Sequence, residues 1–190
     1  MIKNIPINNS FKTYFVSRES TNNPLSIEII KIVKKLHRKE IGSEKNITVS
    51  LSYGKRILIT TMNIDIDNIN NQDITEIVDF NPIKNIVLAI GKKDPNIEIP
   101  VHWIIHNAKR EINAIIQIDE DKLIKKYEKI LPITEKEFPA GSLDLAKEIL
   151  KKLKISKEII IKNKGCLFTG INLKEIENSI FKGENEINES

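Results

Sequence analysis

Residues 94–119, DPNIEIPVHWIIHNAKREINAIIQID, decide the fold. Asp94-Pro95 breaks the chain, Pro100 suits the first turn of a helix, and Val101, Ile104, Ile105 and Ala108 recur at i, i+3, i+4 and i+7. That spacing predicts a helix with one apolar face. Glu98, His102 and His106 stand four apart and share a second, polar stripe. A strand follows over 112–118, with Asn113, Ile115 and Gln117 on one side and Ala114 and Ile116 on the other. A polar helix stripe facing the end of a strand is a place for a site.

Working outward, the chain alternates between the two periodicities. A helix is predicted from Ser26, where Ile29, Ile32, Val33 and Leu36 form a stripe, the last turn is cationic and Gly42 follows. Period-2 segments come next at 47–52 and 56–61, joined by Tyr53-Gly54-Lys55 as a hairpin. A polar loop over 63–71 with Ile anchors leads to two more strands, 75–80 and 86–90, turning at Asn81-Pro82. After the central helix and strand, a Lys-rich helix is expected over 121–130. Ser142 then caps a helix that buries Leu145, Ala146, Ile149, Leu150 and Leu153. Strands at 158–162 and 166–169 bracket Asn163-Lys164-Gly165, and Asn172 with Glu175 resembles a capping box that opens a last helix. The expected fold class is α/β, a three-layer α/β/α sandwich with a mixed, mostly antiparallel central sheet. Residues 1–25 are expected to be an N-terminal extension, loosely structured over 1–23, with 26–182 the domain and 183–190 an acidic, frayed tail.

At 190 residues, 40% of them hydrophobic, the chain is sized for a single domain with a sizeable core. The 30 Lys and Arg are interleaved with 26 Asp and Glu, and aromatics are 5%, which leaves neither a basic patch nor stacking platforms for nucleic acid. No signal-peptide order opens the chain and no apolar run approaches a membrane span. The expectation is therefore a cytoplasmic protein with no nucleic-acid or membrane partner. The single Cys166 forms no internal disulfide, and is expected to be a small buried residue because no histidine is placed beside it.

The order of segments resembles the class II aldolase/adducin family across residues 26–182. Asn46-Ile47-Thr48-Val49-Ser50 is similar to the family's Gly-Asn-[Val/Ile]-Ser segment, and Arg56-Ile57-Leu58-Ile59-Thr60 to its ILIT strand. Asp94-Pro95-Asn96-Ile97-Glu98 with His102 resembles Pro-Ser-Ser-Glu followed by His. Residues 112–116 resemble the strand that leads into the family's His-x-His, and Gly141-Ser142 with Asp144-Leu145-Ala146 its Gly-Thr-x-Glu-Leu-Ala helix. Lys164-Gly165, Gly170 and Asn172-Leu173 resemble the family's late His-Gly, Gly and final helix. The resemblance implies a class II aldolase-like fold, a zinc ion held by three histidines, a glutamate acid/base, and a homo-oligomer, a tetramer in the family's aldolases.

The departures bear directly on function. The three zinc-histidine positions carry Gln117, Asp119 and Lys164, a weak neutral ligand, a hard carboxylate and an ammonium with no lone pair to give. A zinc cofactor is therefore not expected, while a divalent ion at Glu98, Asp119 and His102 stays open. The phosphate cradle is altered as well, with Lys45, Asn96, Ile97, Met62 and Asn63 at its family positions. Glu98 matches the acid/base glutamate, yet a carboxylate at a helix start is equally a partner of the helix dipole. His102 is read as a hydrogen-bonded interior histidine before a ligand. An Asp119–Lys164 ion pair is expected to replace the metal electrostatically. Lys164 as an imine-forming nucleophile is a further alternative.

Three function classes follow. The first is a degenerate-site, small-metabolite binder or pseudoenzyme that recognises a sugar-phosphate-like ligand through Asn46, Asn96, Gln117, Asp119 and Lys164. The second is an active sugar-phosphate aldolase or epimerase, a carbon–carbon lyase with a rebuilt site and Glu98 as its catalytic acid/base. The third is a structural oligomer.

Overall fold

The computed structural model describes residues 11–42 and 47–185, with side chains described to residue 182. Eight strands form one sheet: β1 (Lys12–Ser17), β2 (Ile47–Tyr53), β3 (Arg56–Thr60), β4 (Ile74–Asn81), β5 (Ile86–Ile90), β6 (Ala114–Ile118), β7 (Glu158–Ile161) and β8 (Gly165–Gly170). Their spatial order is β1-β5-β4-β3-β2-β6-β8-β7. Every neighbouring pair is antiparallel except β1 with β5. Five helices cover it: α1 (Leu25–Arg38), α2 (Ile99–Ala108), α3 (Asp121–Tyr127), α4 (Leu143–Lys152) and α5 (Leu173–Asn185). The architecture is the three-layer α/β/α sandwich with a mixed, mostly antiparallel sheet.

The two faces follow from strand alternation. On one face Ile47, Val49 and Leu51 of β2 and Ala114, Ile116 and Ile118 of β6 pack under α1, α3 and α5. On the other face, α2 and α4 cover two separate apolar clusters. One joins Val101 and Ile105 to Ile115, Leu145, Ile149 and Leu167; the other joins Ile99 and Trp103 to Ile57, Ile59, Ile77 and Phe80. Between them lies β2, whose residues on this side are Thr48, Ser50 and Ser52. A polar stripe thus crosses the interior of an apolar layer.

Local signals account for most element ends. Ser142 accepts a hydrogen bond from the Leu145 N–H and starts α4, and Asn172 does the same for Glu175 before α5. Ile64, Ile66 and Ile69 plug the loop after β3 into the α1 side of the sheet. Gly165 is required by close approach: a Cβ there would lie 2.0 Å from the Ile118 carbonyl oxygen.

Some expectations are corrected. The loose lead-in over 1–23 contains β1, because residues 12–17 alternate between exposed and half-buried and add to the edge of β5. The helix expected over 121–130 stops at Tyr127, and the last helix continues to Asn185 instead of fraying from Gly183. Ala108, placed on the apolar face of α2, is exposed at the end of the helix. Among the described residues no helix is long and apolar enough to cross a membrane.

Candidate functional site

One end of the sheet gathers the charged side chains. The register pairs Ile47 with Ile118 and Ile118 with Cys166, so the start of β2, the end of β6 and the start of β8 coincide. Asp119 follows β6 immediately and Lys164 immediately precedes β8. A bridge between Thr61 and Pro95 brings the segment before α2 to the same end, and Gly141 brings the start of α4. The result is a cavity of about 170 Å³ whose lining includes Thr48, Asn96, Glu98, Asp119, Ala140 and Lys164.

Glu98 is buried, and both of its carboxylate oxygens are engaged. Oε1 accepts from the Lys164 ammonium and Oε2 from the Gly141 N–H at 3.0 Å. Gly141 has φ of +65°, and a Cβ there would lie 1.9 Å from the Ile97 carbonyl oxygen, so only glycine lets the α4 turn approach this closely. Lys164 also lies 3.6 Å from Asp119 Oδ2, which makes it the common partner of both carboxylates. Its side chain is 17% exposed against 4% for Glu98, so the pair sits where solvent screens little and a bare carboxylate would be costly. Burial pushes the Asp119 carboxyl above the usual carboxylate range, with Lys164 and Gln117 pulling the other way. Asn96 is spent on the fold: its Nδ2 donates to Thr48 Oγ1 at 3.2 Å and its Oδ1 accepts from the Glu98 N–H at 2.9 Å.

Of the residues singled out in the sequence, Asn96, Glu98, Asp119 and Lys164 line this one cavity, and Gln117 reaches it through a 2.9 Å bond from its amide to Asp119 Oδ1. Asn46 lies outside the described residues. Other contributors were missed, among them Thr48, Ala140 and Gly141. Thr48 was legible as a polar residue alternating on β2, whereas Ala140 and Gly141 carry no chemistry that sequence alone would flag. His102 does not reach the cavity lining. It is fully buried, with Nδ1 on Ser50 Oγ at 2.8 Å, and burial lowers its pKa to about 3. Cys166 is buried as expected, and burial pushes its thiol up to about 12.

A second, larger cleft of about 290 Å³ lies at the opposite end of β2, bordered by Ser52, Lys55, Arg56, His106, Asn107 and Arg110. Its cations are exposed, and Arg56 is tied to Glu76 at 2.5 Å. Convergent buried charge distinguishes the first cavity from this cleft.

Residues 27–118 match the family model described as the Class II Aldolase and Adducin N-terminal domain. The match spans α1 to β6, just under half of the chain, and the chain as a whole has the fold of the class II aldolase/adducin superfamily. Solved structures of this superfamily share its fold. An L-fuculose 1-phosphate aldolase superposes with a TM-score of 0.73 at 21% identity, over 87% of this chain and 84% of that one. A sugar-phosphate aldolase from Thermotoga maritima gives 0.64 at 15% identity, over 83% and 89%. The N-terminal Class II Aldolase domain of a conserved protein from Thermoplasma acidophilum gives 0.62 at 13%, over 89% and 96%. No curated protein sequence matches the chain.

The donor set at the cavity does not fit the zinc ion of this superfamily. A catalytic zinc needs three free lone-pair donors, from imidazole, thiolate or carboxylate, with a fourth position open. Here an ammonium occupies the space between the two carboxylates, and Glu98 has no free oxygen to offer. Among the described residues no group of three or more His, Cys, Asp and Glu is placed to hold a metal ion. The alternative of Glu98, Asp119 and His102 as ligands is thereby corrected, since His102 faces Ser50 and Lys164 stands between the acids.

Proposed function

We propose that the protein is a zinc-independent binder of a small, anionic, oxygen-rich metabolite of the sugar-phosphate class. One observation carries this reading: Lys164, held by Glu98 and Asp119, lines the cavity as its cation, where the superfamily's aldolases use a metal. The starts of α2 and α4 lie at the same end of the sheet, and their helix dipoles favour an anion there. The Lys164 amine is already engaged by Glu98 and Asp119, which supports binding by contact over imine formation. Catalysis by Glu98 would require it to leave both Lys164 and Gly141, so the binder is preferred to the lyase. Asp119 lines the cavity together with Asn96, and Gln117 holds Asp119 from behind. Assembly as a homo-oligomer belongs to the same proposal, and light scattering on the purified chain measures it.

Calorimetric titration tests the reading. L-fuculose 1-phosphate and related sugar phosphates are titrated into the wild type and Lys164→Met, with inorganic phosphate and the free sugars as controls and metal content measured alongside. Saturable binding that is lost in Lys164→Met without bound metal is expected. Retro-aldol release of a triose phosphate would overturn the binder in favour of the lyase, and absence of binding would overturn both.

A further inference from the structure

Beneath α2 runs a line of buried polar side chains that the cavity contacts above do not use. Ser50 Oγ on β2 lies 2.8 Å from both His102 Nδ1 and His106 Nε2, and His106 Nδ1 lies 2.9 Å from the Ile112 carbonyl oxygen. Two more atoms in the same seam, His102 Nε2 and Gln117 Oε1, are buried without a hydrogen-bond partner. Their side chains face each other closely enough for Gln117 to bear on the proton affinity of His102. Unpartnered buried polar atoms are rare, and two that face each other need a common explanation.

The direction of every bond in the line follows from its far end. A carbonyl oxygen only accepts, so His106 carries its proton on Nδ1. Burial lowers His106 to about 4 and His102 to about 3, so each ring is neutral and holds one proton. Nε2 of His106 is then a lone pair and takes the Ser50 hydroxyl proton. With that proton committed, Ser50 Oγ can only accept, and His102 must donate from Nδ1. His102 Nε2 is left as a bare lone pair aimed at Gln117. An amide turned with its oxygen toward that lone pair sets two acceptors against each other. A half-turn about the last torsion exchanges two ends of nearly equal shape and presents the Gln117 N–H to His102. The Gln117 oxygen then meets Asp119 Oδ1, 2.9 Å from the amide, where a carboxylate would repel it and a carboxylic acid would donate to it.

We propose that Asp119, Gln117, His102, Ser50, His106 and the Ile112 carbonyl form a one-way hydrogen-bond relay, in which Asp119 donates a proton to the Gln117 carbonyl and each later member donates to the next. Ser50 is thus a positioning residue for the cavity wall, although it lies outside the cavity. The groups facing Asp119 are Lys164 from the turn before β8, Glu98 from the start of α2, and Gln117 from its own strand. Burial and the Glu98 charge favour the protonated acid; Lys164 opposes it, as does Gln117 while its amide N–H points at Asp119, an opposition that the half-turn removes. His102 faces His106 and Lys164, both of which favour its neutral form. With Asp119 neutral, Lys164 and Glu98 leave the cavity without net negative charge. That suits an anionic ligand, a consequence that rests on the function proposed above.

The relay is tested on the ligand-free protein, so its failure is distinct from failure of ligand binding. Imidazole ¹⁵N shifts at neutral pH report which nitrogen carries the proton, and carboxyl ¹³C shifts report the titration of Asp119. Protonation of His102 and His106 on Nδ1 is expected, with Asp119 still carrying its proton at the pH where the tautomers are read. In Ser50→Ala, His102 is free to protonate Nε2 and donate to Gln117; its proton should move there, and the Asp119 midpoint should fall toward about 3.9. Ser50→Thr keeps the hydroxyl and should restore both signals. A wild-type His102 protonated on Nε2, or an Asp119 midpoint unmoved in Ser50→Ala, would overturn the relay. If Ser50→Ala does not fold, the wild-type tautomers and Ser50→Thr decide it alone.

Discussion

Lys164 makes the difference between this site and a metal site. Its pairing with Asp119 was legible in the sequence once the segments were aligned with the superfamily, because both residues flank neighbouring strands at positions where a shared partner is expected. Its tighter partner was not legible: Glu98 lies 66 residues away and reads equally well as a helix-start carboxylate. The structure shows that it is both, which is why its charge is unavailable for other work. Removing the cation should be costly because the carboxylate left behind is buried. Lys164→Met is expected to lower unfolding stability by about 3 kcal/mol, measured by urea titration at neutral pH. Lys164→Met combined with Glu98→Gln should recover most of that loss, since a neutral amide needs no counter-charge. Equal stability of the single and double variants would mean that solvent reaches Glu98 in place of Lys164.

At the scale of elements, α2 combines two patterns that would ordinarily face different media. Its apolar residues and its polar stripe of Glu98, His102 and His106 are both buried, because β2 offers Thr48, Ser50 and Ser52 to the same side of the sheet. The alternation Thr48-Val49-Ser50-Leu51-Ser52 was visible in the sequence, as was the i, i+4 spacing of the histidines. Their apposition required the strand order, since β2 and α2 are separated by three other strands in the chain. The turn before α4 depends on backbone alone. Gly141→Ala places a Cβ against the Ile97 carbonyl at a positive φ, and should cost at least about 2 kcal/mol while withdrawing the N–H that holds Glu98. Ser142→Ala, one residue on, removes only a helix cap and should cost about 1 kcal/mol. Paired thermal melts compare the two, and a Gly141→Ala loss no larger than that of Ser142→Ala would show that the turn can relax.

For the whole molecule, the buried histidines impose a pH dependence. Their folded pKa values, about 3 for His102 and about 4 for His106, lie below the ordinary value of 6.5. Below pH 6.5 the unfolded chain takes up protons that the folded chain refuses, so stability falls as pH drops from about 6.5 toward 4. The slope is about 1.4 kcal/mol per pH unit for each histidine. Asp119 acts in the opposite sense, because its raised folded pKa lets the native state hold a proton that the unfolded chain has released. Urea midpoints measured at intervals from pH 7.5 to 4.5 should decline, and His102→Gln should flatten the decline by about one proton. A flat wild-type profile would mean that the rings gain protons without leaving the fold. The elements, the two-faced sheet and the family resemblance were determined by the sequence itself, because periodicity, caps and turn residues act between neighbours along the chain. Only the tertiary structure decided that Lys164 is held by Glu98 as well as Asp119, that Ser50 joins two histidines, and that Asn96 serves the backbone. Those contacts join residues dozens of positions apart, and their energies depend on a burial that no local pattern encodes.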